Sequence, residues 1–146
     1  MKISDAAHRA GLSTKAVRYY AEIGLVEPIG RAENGFRQYD ERCVNKLTFV
    51  RRARAFGFSI ANCRALLDLL DDPGRSNQDV RQIASDHLNA VIEKQRELQT
   101  LHDQLFGLIA SCQGDGASDC PILDHFSETP RQEKRRKQYQ KLRPAI

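Results

Sequence analysis

The chain has no tryptophan, one methionine and only ten phenylalanine and tyrosine residues (six Phe, four Tyr) in 146 residues. So few large rings exclude an extensive compact core. They suit one modest domain, or a small head carrying a long helix. No run approaches the roughly 20 apolar residues that a membrane span needs, so no membrane association is expected. Met1-Lys2-Ile3-Ser4-Asp5 passes directly into an amphipathic pattern. No signal peptide is read there, and the expectation is a cytoplasmic protein whose thiols stay reduced. Also missing are a glycine-rich nucleotide loop and any acid–base constellation, so an enzyme is not expected.

What is present is charge, and it is unevenly placed. Charged residues make up 29% of the chain, and their alternation with Leu and Ala points to helices. Residues 1–66 hold 12 Lys/Arg against 6 Asp/Glu, residues 67–126 hold 4 against 11, and residues 127–146 hold 7 against 2. A basic head beside an acidic middle predicts that the head meets a polyanion and the middle does not. Residues 127–146 have little apolar content and read as a disordered basic tail. A solvated tail fits them, and so does added non-specific affinity for DNA.

Ile3, Ala6, Ala7 and Ala10 form one helical stripe, with Ser4 or Asp5 as cap. Gly11 ends that helix, and Ser13 or Thr14 caps a second from Lys15 to Ile23, closed by Gly24. Two short helices about a glycine turn outline a helix-turn-helix. Lys15, Arg18 and Tyr19 or Tyr20 are predicted on the face that meets a major groove. The same outline fits a solvated basic helix with one aromatic in the core. Val26 and the Phe36–Tyr39 alternation suggest two short strands, with Asn34-Gly35 making the tight hairpin between them. Arg31, Arg37 and Tyr39 make that hairpin a wing able to grip flanking phosphates.

A third helix is read over residues 41–56. A fourth opens at Ser59 and ends near Asp72-Pro73-Gly74. Cys43 and Cys63 sit inside these patterns and are read as small packing residues. Ser76 or Asn77 then caps one long helix over 78–110, roughly 50 Å at the usual rise. Its stripe of Val80, Ile83, His87, Val91, Lys94, Leu98, Leu101, Leu105 and Leu108 is an imperfect heptad. One chain of this size cannot bury that stripe, whereas an antiparallel coiled coil of two chains can. His87 and His102 are read as seam or surface residues. Pro121 starts a short terminal helix.

Cys112 and Cys120 bracket Gln113-Gly114-Asp115-Gly116-Ala117-Ser118-Asp119, a filling with no helix or strand character. Two thiols converging from the ends of such a loop suggest a metal or redox site. Zinc wants about four ligands and the loop supplies two sulfurs. Monovalent copper accepts a few soft donors, and end-on binding by two thiolates leaves no room for a third. The loop therefore argues for Cu(I), with Ag(I) and Au(I) as alternatives. A divalent site completed by His125 or a partner residue, a thiol redox switch and an inert pair remain as competing readings.

Ile3-Ser4-Asp5-Ala6-Ala7, Lys15-Ala16-Val17-Arg18-Tyr19-Tyr20-Ala21-Glu22-Ile23-Gly24-Leu25-Val26 and Glu33-Asn34-Gly35-Phe36-Arg37-Gln38-Tyr39 resemble the winged-helix head of the MerR family. The similarity continues through Leu47 and Gly57-Phe58-Ser59-Ile60 to Cys120-Pro121-Ile122-Leu123, covering about residues 1–126. The resemblance implies a mainly α fold: a winged helix-turn-helix domain with linking helices (1–72), a dimerisation helix (76–110) forming an antiparallel coiled coil, and a metal-binding loop with a short helix (111–126). It implies a homodimer that activates transcription by bending and undertwisting an overlong promoter spacer so that RNA polymerase engages. Lys15, Arg18, Tyr20, Arg31, Arg37, Tyr39 and Arg54 would hold double-stranded promoter DNA, with Asn34 and Gly35 shaping the wing.

Cys112 and Cys120-Pro121-Ile122 are similar to the copper-responsive CueR subgroup, which implies control of copper efflux and detoxification genes. Members sensing divalent ions carry another cysteine at the start of the dimerisation helix, where this chain has Asn77. Asn77 departs from the serine of the copper-responsive members. Arg81, one turn further in, stands where that subgroup has a basic residue and is expected to help neutralise the loop.

Overall fold

The computed structural model describes residues 1–112 and 120–127. The interior of the Cys112–Cys120 loop and nearly all of the expected basic tail lie outside the described residues. In chain order the elements are α1 (Ile3–Ala10), α2 (Thr14–Glu22), β1 (Gly30–Arg31), β2 (Arg37–Gln38), α3 (Glu41–Ala55), α4 (Ile60–Asp71), α5 (Asn77–Ser111) and α6 (Pro121–Phe126). The architecture is mainly α, as the sequence predicts. The chain divides into two compact units, Met1–Asn89 and Ala90–Ile146.

In the first unit, α1 packs on α2 and α3, and α3 packs on α4. Alanines at positions 6, 7 and 10 are buried, and their small size lets the α1 backbone approach its neighbours. Val17, Val26, Leu47, Val50, Cys63 and Leu67 fill the space between them. Gly11 takes φ 72°, a left-handed conformation that costs a side-chain-bearing residue more than glycine. A Cβ there would also lie 3.1 Å from Arg51 Nε. That nitrogen donates to Ala10 O at 2.8 Å, satisfying an orphan carbonyl at the end of α1. Arg64 does the same for α2, donating to Ile23 O (2.8 Å) and Gly24 O (3.0 Å). Arg9 and Glu41 form a two-pronged ion pair linking α1 to the start of α3.

Caps follow the sequence with one exception. Ser13, Asp40 and Ser59 accept the backbone N–H of Ala16, Cys43 and Asn62. The Cys43 N–H holds the Asp40 carboxyl below the usual carboxylate range. Ser76 Oγ accepts from Gln78 N and starts α5. At α1, however, Lys2 is the capping residue and contributes no side-chain bond. Ala6 N donates to Lys2 O (3.1 Å), so the helix begins at Ile3 and takes Ser4 and Asp5 inside it.

The hairpin also differs from expectation. Val26 is buried but lies outside any strand, and pairing begins at Gly30, with Gly30 opposite Gln38 and Arg31 opposite Arg37. In the turn Gly35 takes φ 82° while Asn34 does not turn positive, and no non-glycine residue does among those described. Gly35 N donates to Ala32 O (2.9 Å) and Ala32 N to Phe36 O (2.8 Å). This is a turn closed by a glycine bulge rather than a two-residue turn.

The long helix contains 35 residues and buries none of them. Leu98 remains 64% exposed, and Leu101, Leu105, Phe106 and Ile109 are exposed with it. No helix among the described residues is long and apolar enough to cross a membrane.

Leu47, with no exposed surface, is at the centre of the head. Leu47→Ala is expected to cost about 2–5 kcal/mol, measured as a lower urea midpoint at unchanged slope. A shift too small to resolve would remove α3 from the centre of the core.

Candidate nucleic-acid interface and metal loop

A helix held by its inner face offers its outer face to a ligand. Along α2, Val17 and Tyr20 point inward, while Lys15, Arg18, Tyr19 and Glu22 form the exposed stripe. Tyr20 retains 8% exposure and Tyr39 retains 1%, whereas Tyr19 is 48% exposed. The structure therefore differs from the expectation that Tyr20 and Tyr39 project outward. Tyr20 lies three residues after Val17 and shares its buried face. Met1 and Tyr39 exchange backbone hydrogen bonds, with Met1 N donating to Tyr39 O (2.6 Å) and Tyr39 N to Met1 O (2.9 Å). These bonds tie the start of α1 to the end of the wing. The Tyr39 hydroxyl is buried without a hydrogen-bond partner among the described residues. Burial pushes its pKa up, while nearby Arg37 and Arg18 pull it down.

The wing, the start of α1 and α2 enclose a cleft of about 450 Å³. Lys2, Arg18, Arg31 and Arg37 line it together with Ser4, Asn34 and Gly35, and no acid is among its lining residues. Arg31 and Arg37 are directly opposite on the ladder, an arrangement that is unfavourable for like charges until an anion lies between them. Arg31 Nη1 donates to Gly35 O (3.0 Å), and Asn34 Oδ1 accepts from Phe36 N (3.2 Å). Asn34 thus shapes the wing turn. The uncapped first turn of α1 adds the positive end of a helix to the same cleft. Lys2 was not singled out from the sequence and Ser4 was read there only as a cap, because an uncapped helix start announces itself only when the cap is seen to be missing. Lys15 is exposed on the same helix as Arg18. Arg54 is exposed too, but its Nη1 donates to Phe58 O at 2.8 Å, within the turn between α3 and α4.

The four cysteines divide into two kinds. Cys43 and Cys63 are buried, and burial pushes both thiols above the ordinary range. Cys43 Sγ is directed at Glu27 O. Both are packing residues, as expected. Cys112 and Cys120 are free and half-buried at helix ends. Cys112 N donates to Leu108 O and Ile109 O at the close of α5, and Cys120 is the capping residue of α6, with Pro121 following. Asn77 is the first residue of α5, and Arg81 is exposed one turn on. Among the described residues no three His, Cys, Asp or Glu side chains gather as a metal site.

Comparison with known proteins places this geometry. The family pattern described as MerR HTH family regulatory protein matches residues 1–70, and the one described as MerR, DNA binding matches residues 44–108. The transcriptional regulator CueR of Salmonella typhimurium is 43% identical over 87% of this chain and 92% of its own length. HmrR of Rhizobium leguminosarum bv. viciae is 44% identical over 88% of this chain and 98% of its own. Among solved structures, the transcription regulator PbrR691 from Ralstonia metallidurans CH34, in complex with lead(II), superposes with a TM-score of 0.76. It is 32% identical and covers 87% of this chain and 99% of that one.

Arg18→Ala and Arg37→Ala are each expected to weaken duplex DNA binding across all sequences and to reduce the salt slope of log K by about one. An unchanged slope in a filter-binding titration would remove that arginine from the interface. Alkylation of the folded, reduced protein is expected to modify Cys112 and Cys120 first and to reach Cys43 and Cys63 only on unfolding. Mass spectrometry of the labelled peptides reads this order directly.

Proposed function

The chain belongs to the MerR family of helix-turn-helix regulators, and from that premise we propose that it activates copper efflux and detoxification genes in response to Cu(I), with Ag(I) and Au(I) as mimics. It is a metal-responsive transcription regulator and not an enzyme. Its family binds promoter DNA as dimers.

The observation that carries the copper reading is the division of the cysteines. Burial removes Cys43 and Cys63 from the donor set, leaving Cys112 and Cys120 as the thiols of the loop. A tetrahedral divalent ion is poorly served by two sulfurs, whereas a monovalent soft ion is well served. Two thiolates and one such ion leave a net charge of −1, which is costly to bury unpaired. In this reading Arg81 and the helix start at Asn77, both from the partner subunit, neutralise the loop. The apolar stripe that α5 leaves uncovered supports an antiparallel pairing that would bring them there. Lys15, Arg18, Arg31 and Arg37 would hold phosphates, joined by Lys2 and by Tyr19 on the exposed face of α2. Tyr20 and Tyr39 would serve chiefly by supporting that surface from within.

Activation then requires that the ion bind the activating conformation more tightly than the resting one, by the ~1–3 kcal/mol usual for allosteric coupling. DNA bending and undertwisting must favour the same state, so that RNA polymerase engages. The lead(II) complex of the 32% identical PbrR691 favours a second reading, a sensor of a divalent ion. That reading needs at least one further donor, such as His125 or a residue of the partner subunit.

Transcription in vitro under reducing conditions separates the two. Cu(I) and Ag(I) are expected to induce, and Zn(II) and Pb(II) are not. Cys112→Ser and Cys120→Ser are expected to abolish induction while promoter binding survives. Arg81→Glu is expected to weaken Cu(I) affinity without changing DNA affinity. X-ray absorption of the loaded protein showing four donors, or an ion that ignores both sulfurs, would overturn the two-sulfur copper reading.

A further inference from the structure

A helix that carries a signal to the head must be fastened to it. Beyond its capping residue Ser76, and among the described residues, α5 makes its only side-chain hydrogen bond and its only ring contact with the head through His87. His87 Nε2 lies 2.6 Å from Phe56 O. A carbonyl can only accept, so Nε2 carries the proton and donates. The imidazole also stacks on Phe58, with centroids 4.3 Å apart and planes 30° from parallel. Between these two contacts is Gly57 at φ 84°, where a Cβ would sit 3.4 Å from His87 Cε1 and Nε2. The ring thus lies in van der Waals reach of the turn backbone, and the left-handed φ is what favours glycine there. The Phe58 carbonyl is held separately by Arg54, so the turn between α3 and α4 is clasped by α3 on one side and by α5 on the other. That turn leads into α4, whose Arg64 grips the end of α2 through Ile23 O and Gly24 O.

We propose that His87 is a positioning residue that couples α5 to the DNA-binding head, fixing the α3–α4 turn, and through α4 the end of α2, in register with the long helix. The proposal rests on the regulator reading above. It adds that the metal response passes through one imidazole rather than through a broad packed surface. Without the imidazole, head and helix move independently, and the metal-free and metal-bound states converge in output.

The test compares wild type with His87→Ala, His87→Gln, which keeps a donor, and His87→Phe, which keeps an aromatic face. Full-length protein is used throughout. His87→Ala is expected to retain promoter affinity and metal stoichiometry. Its ratio of metal-induced to basal transcription is expected to fall at least about fivefold, the lower end of allosteric coupling. His87→Gln and His87→Phe are each expected to recover part of that ratio. Amides 56–60 should exchange hydrogen faster in His87→Ala without metal. An unchanged induction ratio, or unchanged exchange at those amides, overturns the proposal. If His87→Ala does not fold, the same comparison is made with His87→Gln. A wild-type chain that ignores every metal refutes the sensor reading alone. Metal-free exchange still decides whether His87 fastens the turn.

Discussion

The long helix cannot satisfy itself. It runs 35 residues without burying one of them, and its leucines recur at the spacing of a seam. Apolar surface of that extent, left in water, forgoes roughly 25 cal/mol of stabilisation for each Å² uncovered. In the proposed dimer a second copy lying antiparallel would cover the stripe and fix much else. It would set the separation of two heads, turn a half-site reader into a reader of paired half-sites, and supply the partner elements that the proposed metal loop needs for charge balance.

The head answers a different demand. Its interior is built from small and medium side chains, with alanines on α1 allowing close approach and valines and leucines filling the rest. Because so little apolar mass is available, arginines take structural duties. Arg51 and Arg64 close the carbonyl ends of the first two helices, and Arg54 closes the turn after α3. The basic excess of the first 66 residues is therefore not all available to a polyanion. The cationic cleft between α1, α2 and the wing holds the part that is.

Much of this was legible from residue order alone. Helix bounds came within a residue or two, because Gly11, Gly24, Gly57 and the caps at Ser13 and Ser59 are local signals. The inertness of Cys43 and Cys63 followed from helical periodicity. What escaped depended on tertiary contact. Ser4 and Asp5 looked like caps, but Ala6 N reaches back to Lys2 O and Met1 is tied to Tyr39, which places the start of α1 ahead of them. Val26 looked like strand because an apolar residue beside a turn reads the same whether it pairs or merely packs. Tyr19 and Tyr20 are adjacent, and only the helix phase set by Val17 separates outward from inward. His87 read as a seam residue, since nothing in its neighbourhood of the sequence mentions Phe56 or Phe58.

Arg31 facing Arg37 has a consequence for how such a regulator searches a chromosome. The hairpin has only two paired rungs, and its closure is opposed by its own cations until phosphate arrives. Phosphates are the same on every duplex, so in the proposed interface the wing would clamp wherever the protein lands. The hairpin would then lengthen dwell time on arbitrary DNA more than it sorts one site from another. Site choice would then rest chiefly on the ease with which a given spacer can be deformed.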